Sequence, residues 1–595
     1  MTLPVLFILF AGATGVSGTL SWLVQRRAVW RGAVVPPRSD RWHRSATPTF
    51  GGIAIAATSL VFASALLFGA LSIDEVMVPL AVVMAAFAMF VVGLADDSLR
   101  LTPLAKMVAS LTIGAFFVFS LSTPEALPSW AAVLAIIWFG GIVHALNLLD
   151  NMDGLAAGVG LFASLLFVWA FGPVLGPTLG AVLVVMAGSL LGFLVWNRHP
   201  ARLFMGDCGS LFIGAVLAGT SLVPVIHKGG SFFLNGFVVV LILVVPLFDT
   251  GFVLLLRRLA GRQATRGGTD HVSHRLVSLG FSERSAVRIL YGFGLLGGSL
   301  AVLLTGPGYD ALLPLAWLFV VAMTLVGIYL ARVPAYEADD FLALQKTSFA
   351  PFLKDLAFRW HAGQVLLDVL LISTVFYASY LIRFEGEALE TFLSSFTASL
   401  PIVLGCKLVA LYLSGLYARS WHTFGIRDLY AVVRGVGGGS ILSILAAAYF
   451  FRFELFSRGV FLFDALLLFV AVVATRASFR LMGEAAASRS KHSRRVLIYG
   501  AGSGGQLLAR EMRANREWHL NPIGFLDDDP AKQLRWILGV PVRGGLNDLK
   551  KNLSRADVEE LILSSAAING TIETQIRKIC DERGVLVRRL HLEIS

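Results

Sequence analysis

The sequence is poor in charge. Of its 595 residues only 15% are Asp, Glu, Lys or Arg, while 56% are hydrophobic and the mean hydropathy is +0.76. An ordinary soluble domain carries about a quarter charged residues, so most of this chain is not one. Three cysteines, Cys208, Cys406 and Cys580, are too few and too scattered for a disulfide framework or a zinc site. No basic residue precedes the apolar run at the N-terminus, which therefore reads as a retained first span and not a cleaved signal. Also missing is any basic stripe interleaved with aromatics. The net charge of +11 then argues for basic loops beside a membrane and against nucleic acid.

What is present is a succession of apolar runs, each long enough to cross a bilayer core. They lie near 3–24, 50–70, 78–95, 104–121, 130–147, 155–173, 178–196, 209–226, 234–256, 287–305 and 312–331, then near 363–383, 396–416, 433–451 and 460–478. After Ser490 charge becomes dense and apolar runs shorten to strand length. The expected fold class is a polytopic α-helical membrane protein of about fifteen transmembrane helices with a C-terminal cytoplasmic α/β Rossmann-like domain. The expected divisions are an eleven-helix domain (1–331), a linker (332–361), a four-helix unit (362–480) and the soluble domain (491–595).

The first loop holds Arg26, Arg27, Arg31, Arg38, Arg41 and Arg44, which places it in the cytoplasm. Alternation then puts four polar clusters on that same face. They are Asp96-Asp97 with Lys106 about three turns on, Asn147-Leu-Leu-Asp150-Asn151-Met-Asp153-Gly154, Asn197 to Ser210 with Asp207 just before a span, and Asp270-His271-Val-Ser-His274-Arg275 preceded by Arg257, Arg258, Arg262 and Arg266. If helical, Asn147, Asp150 and Asp153 share a face. Ionisable groups at membrane depth are costly and point to function. Carboxylates with His and Arg suit a Mg²⁺-bound nucleotide diphosphate, since Mg²⁺ takes one or two carboxylates plus phosphate oxygens.

These motifs, in this order, together with Trp42-His43 and Thr47-Pro48-Thr-Phe-Gly51-Gly52, resemble the polyprenyl-phosphate N-acetylhexosamine-1-phosphate transferases of glycosyltransferase family 4, relatives of the phospho-MurNAc-pentapeptide translocase and the GlcNAc-1-phosphate transferases. The resemblance covers about residues 1–331 and departs at Asn151, where glycine is common, and at the two-histidine loop. It implies eleven spans, Mg²⁺ (or Mn²⁺) dependence, a bacterial inner-membrane location with the active site cytoplasmic, and transfer of a sugar-1-phosphate from a UDP-N-acetylhexosamine to undecaprenyl phosphate. In that reaction Asp207 and Asp150 are expected as metal ligands, and Asp96 and Asp97 at the lipid phosphate. Asn147, Asp153 and Asn197 are expected on the substrate side, with His271, His274 and Arg275 at the pyrophosphate. Lys106 either pairs with the Asp-Asp site or snorkels to the interface. The sugar stays open among GlcNAc, QuiNAc and FucNAc.

From residue 350 the chain starts again, with Asp368, Tyr380 to Phe384 and the loop containing Arg419 and Trp421. Gly500, Gly502 and Gly505 then form a dinucleotide fingerprint between a strand and a helix, and Asp527 and Asp528 stand where a ribose-binding acid belongs. The alternative is that these glycines serve only tight strand–helix packing. This half resembles the N-terminal part of membrane nucleotide-sugar dehydratases, but no Tyr-x-x-x-Lys pair or second fingerprint follows. A role in binding NAD or a nucleotide sugar, or in assembly as a homodimer, is expected rather than hydride chemistry. A transporter, a dehydratase and a scaffold are the rival classes.

Overall fold

A computed structural model of the chain describes every residue except 1, 31–33, 36–46, 71–72, 122–127, 227–231, 260–267, 269, 307–311, 332–355, 385–386, 418–424, 453–455, 488–493, 515–517, 519, 534, 539, 556–557, 565–568 and 591–595. Arg31, Arg38, Arg41, Arg44, Trp42, His43, Arg262, Arg266, Arg419, Trp421 and most of the expected linker lie outside the described residues. The chain forms two compact units, Met1–Leu481 and Met482–Ser595.

In the first unit the apolar runs become α1 (Leu3–Trp30), α2 (Gly51–Phe68), α3 (Ile73–Leu99), α4 (Pro103–Leu121), α5 (Ser129–Leu149), α6 (Leu155–Asn197) and α7 (Asp207–Ile226). A two-residue ladder, β1 (Val34–Val35) with β2 (Thr47–Pro48), lies between α1 and α2. There follow α8 (Phe232–Ile242), α9 (Val244–Leu259), the short α10 (Val272–Ser278), α11 (Glu283–Leu303) and α12 (Leu313–Ala331). The second set is α13 (Leu356–Arg383), α14 (Glu387–Leu413), α15 (Ile426–Phe451) and α16 (Arg458–Ala487).

Thirteen helices among the described residues are long and apolar enough to span a membrane, and α8 with α9, bent by 83° at their junction, make one more. The 43-residue α6 is itself two limbs. Unbroken, it would run about 65 Å, twice a bilayer core. Its helical dihedrals fail at Phe171 and Gly176, beside Pro173 and Pro177. Its two ends meet, for Asn197 Oδ1 accepts the Gly154 N–H at 3.0 Å. Counting the limbs separately gives the fifteen crossings expected from hydropathy. The protein is a multi-pass membrane protein.

Helix α6 is buried along much of its length because α1 and α2 cover it. Ser17 Oγ donates to Ser189 O at 2.6 Å, and Trp196 Nε1 donates to Gly18 O at 3.1 Å. In the second set two ion pairs sit wholly inside the helices. Arg476 Nη2 donates to both oxygens of Asp368 at 2.9 and 2.7 Å, and Lys407 pairs with Asp464. Unpaired charges there would cost several kcal/mol each, so these contacts fix which faces of α13, α14 and α16 can meet.

The second unit is a parallel sheet of β3 (Arg494–Tyr499), β4 (Leu520–Leu526), β7 (Glu560–Leu563) and β8 (Leu586–Arg589), in spatial order β4-β3-β7-β8. A small antiparallel pair, β5 (Trp536–Ile537) with β6 (Val540–Pro541), lies outside it. The helices are α17 (Ser503–Ala514), α18 (Leu549–Arg555) and α19 (Gly570–Asp581). Side chains alternate between faces: Leu497 and Tyr499 join one core with Ile576, and Val496 and Ile498 join another with Leu508 and Met512. Covering both faces explains the near-continuous apolar reading of β3. The expected Rossmann-like layout is therefore present.

Asn197 is a buried staple, since its Nδ2 also donates to Leu203 O at 3.0 Å. Asn197→Ala leaves both backbone partners unpaired and should destabilise the transmembrane unit by about 2–4 kcal/mol. Thermal unfolding in detergent checks this. An unchanged midpoint would show that water replaces the amide at no cost.

Candidate active site

The polar clusters converge on one end of the helix bundle. Asp96 and Asp97 end α3, Lys106 lies in the first turn of α4, and Asp207 begins α7. The Lys106 ammonium bridges Asp96 Oδ2 at 2.8 Å and Asp207 Oδ2 at 2.7 Å. Pairing, not snorkelling, is thus the role of Lys106 in this structure. The bridge runs to Asp96 and Asp207, however, and not to the two adjacent aspartates.

Asp97 has a separate task. Its Oδ1 accepts the Asp207 N–H at 2.9 Å and its Oδ2 the Cys208 N–H at 3.0 Å, which satisfies two free donors of the α7 N-terminus. Gly206 makes this approach possible: its φ is 75°, and a Cβ there would stand 2.8 Å from Asp97 Oδ2. Asp97 was expected at the lipid phosphate; here both its oxygens hold Asp207 in place. The loop is further fixed by Gly51 and Gly52, whose N–H groups donate to Phe204 O and Met205 O at 2.9 and 2.8 Å.

Asn147 Nδ2 donates to Ser210 Oγ at 2.9 Å, joining α5 to α7. Asp150 caps the C-terminus of α5, and Asp153 Oδ2 accepts the Ala201 N–H at 2.9 Å and meets His199 Nδ1 at 3.1 Å. Asn197, expected to touch substrate, is instead buried between two backbone groups. Tyr291 of α11 donates to Gly154 O at 2.5 Å and closes the same loop from the other side.

The histidine segment is anchored by a carboxylate absent from the motif list. Asp249, 1% exposed on α9, accepts from His271 Nδ1 at 2.7 Å and from the Val272 N–H at 2.8 Å. A lone acid in the apolar run 244–256 was the signal that could have revealed it. With Nδ1 engaged by Asp249, Nε2 is the ring nitrogen left for another partner. Arg275, expected at a pyrophosphate, is only 2% exposed. It donates to Asp270 O and Leu330 O, both at 3.0 Å, and stacks over Phe252. The paired Arg257 and Asp270 are equally internal, joined through two contacts of 2.7 and 2.6 Å. Arg275 and Arg257 therefore build the scaffold behind the histidines.

The sequence places a divalent metal at Asp207 and Asp150. Among the described residues no three His, Cys, Asp or Glu side chains converge on one metal position. Mg²⁺ does not require three, because phosphate oxygens and water complete its shell. Asp96 and Asp207, which already share one cation, fit such a site. Asp96 is thus the carboxylate that shares the Lys106 ammonium with Asp207, while Asp150, the expected metal partner, caps the end of α5.

In the soluble unit the expected cofactor residues are internally engaged. Asp527 Oδ2 accepts the Ala501 N–H at 2.7 Å and Oδ1 the Asp529 N–H at 2.9 Å, with Lys532 Nζ at 3.2 Å. Burial opposes ionisation of Asp527, but the N–H groups of Asp529 and Ala501 and the Lys532 ammonium outweigh it and hold the carboxyl below its usual range. Asp528 accepts from the Tyr499 hydroxyl and from the Leu546 N–H at 2.7 Å. A Cβ on Gly505 would overlap Gly500 O, so these two glycines serve close strand–helix packing. Around Gly502 there is open space. Ser564, missed in the sequence, donates to Tyr499 O at 3.0 Å and Gly500 O at 2.8 Å.

Carboxylates, a lysine and an amide gathered at one end of a transmembrane helix bundle, and tied through Asn151 and Ser273 to an Asp-supported histidine segment, make the site of a polytopic membrane enzyme. The sequence model of glycosyl transferase family 4 matches residues 79–225, α3 to α7, and so includes Asp96, Asp97, Lys106, Asn147, Asp150, Asp153 and Asp207. A Bacillus subtilis protein named "Probable undecaprenyl-phosphate N-acetylglucosaminyl 1-phosphate transferase" is 32% identical over 56% of this chain and 90% of its own length. A Mycolicibacterium smegmatis decaprenyl-phosphate N-acetylglucosaminephosphotransferase is 30% identical over 51% of this chain and 83% of its own. A Synechococcus phospho-N-acetylmuramoyl-pentapeptide-transferase is 33% identical over 49% and 87%. The chain belongs to glycosyl transferase family 4, as its motifs implied. A second model, described as a CoA-binding domain, matches residues 413–587.

Burial and the neighbouring His271 hold His274 of α10 down to about 4, although Asp249 and Asp270 act the other way. The folded protein keeps this ring neutral while the unfolded chain protonates it near 6.5. Its contribution to stability is thus complete above about pH 6.5 and is lost as pH falls toward 4. The melting temperature in detergent should drop across that window, and less so for His274→Gln. An equal drop in both proteins would refute the buried neutral ring.

Proposed function

We propose that this protein transfers an N-acetylhexosamine-1-phosphate from a UDP-sugar to undecaprenyl phosphate, giving an undecaprenyl-diphospho-sugar and UMP. The observation that carries the reading is the Asp96–Lys106–Asp207 bridge at the bundle end where Asn147, Asp153 and His271 also gather. The named activities of the relatives agree with it. The arginines of the first loop favour a cytoplasmic site in the bacterial inner membrane, and the product class suits initiation of a cell-surface polysaccharide.

A lipid phosphate oxygen attacks the β-phosphorus of the donor. The bond from that phosphorus to the oxygen shared with the α-phosphate breaks, and UMP leaves with the electron pair. A phosphomonoester has its second pKa near 6, so the nucleophile is already largely ionised at neutral pH. The protein's work is therefore to hold two mutually repelling phosphates in line. Lys106, held by two carboxylates, supplies a fixed positive charge for the acceptor phosphate. Asp96 and Asp207 are the residues to hold Mg²⁺, which when bound neutralises pyrophosphate charge. His271, oriented by Asp249, turns Nε2 toward the pyrophosphate, and Asn147 and Asp153 face the nucleotide. Asp97 acts through Asp207 by fixing the start of α7.

Purified protein with undecaprenyl phosphate, Mg²⁺ and a panel of UDP-N-acetylhexosamines should release UMP with at least one of them. Asp207→Asn should lower the rate by at least about a hundredfold with an unchanged melting profile. Turnover near the wild-type rate in that variant would remove Asp207 from the reaction.

A further inference from the structure

Asn151 stands at a position where the resembling family commonly has glycine, and the structure gives its side chain a specific partner. Its Oδ1 accepts from Ser273 Oγ at 2.8 Å, across 122 positions of sequence, and its Nδ2 donates to Leu148 O at 3.0 Å. The amide is thereby oriented at both ends. Asn151 lies between Asp150 and Asp153, and the fully buried Ser273 lies between His271 and His274. The bond thus ties the loop on the nucleotide side to the helix that carries the pyrophosphate-side histidines.

We infer that Asn151 and Ser273 are positioning residues that set the spacing between the two halves of the donor site, and so the affinity for the nucleotide sugar. The inference rests on the transferase reading above. Each loop is already anchored without this bond. Gly154 is held by Asn197 and Tyr291, while α10 is held by Asp249 at its start and by Arg275 to Leu330 O. Removing the bond therefore leaves both loops folded and frees only their distance from each other. A donor that spans the two loops feels that loss. The acceptor phosphate, placed at the Lys106 bridge, does not.

The test is a double-mutant cycle on the full chain in detergent, with Asn151→Ala, Ser273→Ala, the double variant and Ser273→Thr. Each single alanine variant should raise KM for the UDP-sugar about fivefold, and the double variant no further, because the two share one interaction. The kcat and the KM for polyprenyl phosphate should stay within about twofold, and Ser273→Thr, which keeps the hydroxyl, should restore donor KM. Multiplying effects in the double variant, or a loss of kcat at unchanged donor KM, would overturn the inference. So would failure of the threonine to rescue. A wild-type protein that releases no UMP with any donor would bring down the transferase reading, and this inference with it. An active wild type with multiplying effects would bring down this inference alone.

Discussion

The first half of the molecule is organised by a single ammonium group shared between two carboxylates from different helices. Lys106 on α4 reaches both Asp96 at the end of α3 and Asp207 at the start of α7. Two acids this close at a bundle end repel each other unless a cation stands between them. The lysine permits the arrangement, and Asp97 makes it rigid by accepting the first two N–H groups of α7. Adjacent aspartates thus divide the labour: Asp96 pairs with Lys106, and Asp97 fixes the helix that presents Asp207.

Around this centre the same construction recurs. Long spans fold back on one another, so that alternate interhelical loops return to the same end of the bundle. Polar side chains then staple those loops to each other. Asn197 ties the two limbs of α6, Tyr291 reaches Gly154 from α11, and Asp249 receives the histidine segment. Where charge lies deeper, as in Arg476–Asp368 and Lys407–Asp464, it is matched within the helices, which is the condition for keeping it there.

Much of this was legible in the sequence, because apolar run length and loop charge are direct consequences of the bilayer. The hydropathy pattern divides α6 into two crossings, and Pro173, Gly176 and Pro177 mark the break. The motif residues Asp96, Lys106, Asn147 and Asp207 do come together. The failures share a cause: a sequence shows which residues are polar, not which polar partner each one finds. Asn197 and Arg275 look like ligands but are consumed by backbone carbonyls and N–H groups. Asp527 and Asp528 look like ribose-binding acids but close their own loops. Asp249 escaped because a lone acid inside an apolar run belongs to no local pattern, and its partner His271 lies 22 residues away.

Transfer of a sugar-1-phosphate requires that the β-phosphorus of the donor, and not the sugar alone, move to the lipid. A UDP-N-acetylhexosamine carrying radiolabel at the β-phosphate separates these outcomes in one extraction. The expected result is label in the organic phase with the polyprenyl lipid, in proportion to UMP left in water. Label that stays in water as UDP while sugar enters the lipid would contradict it.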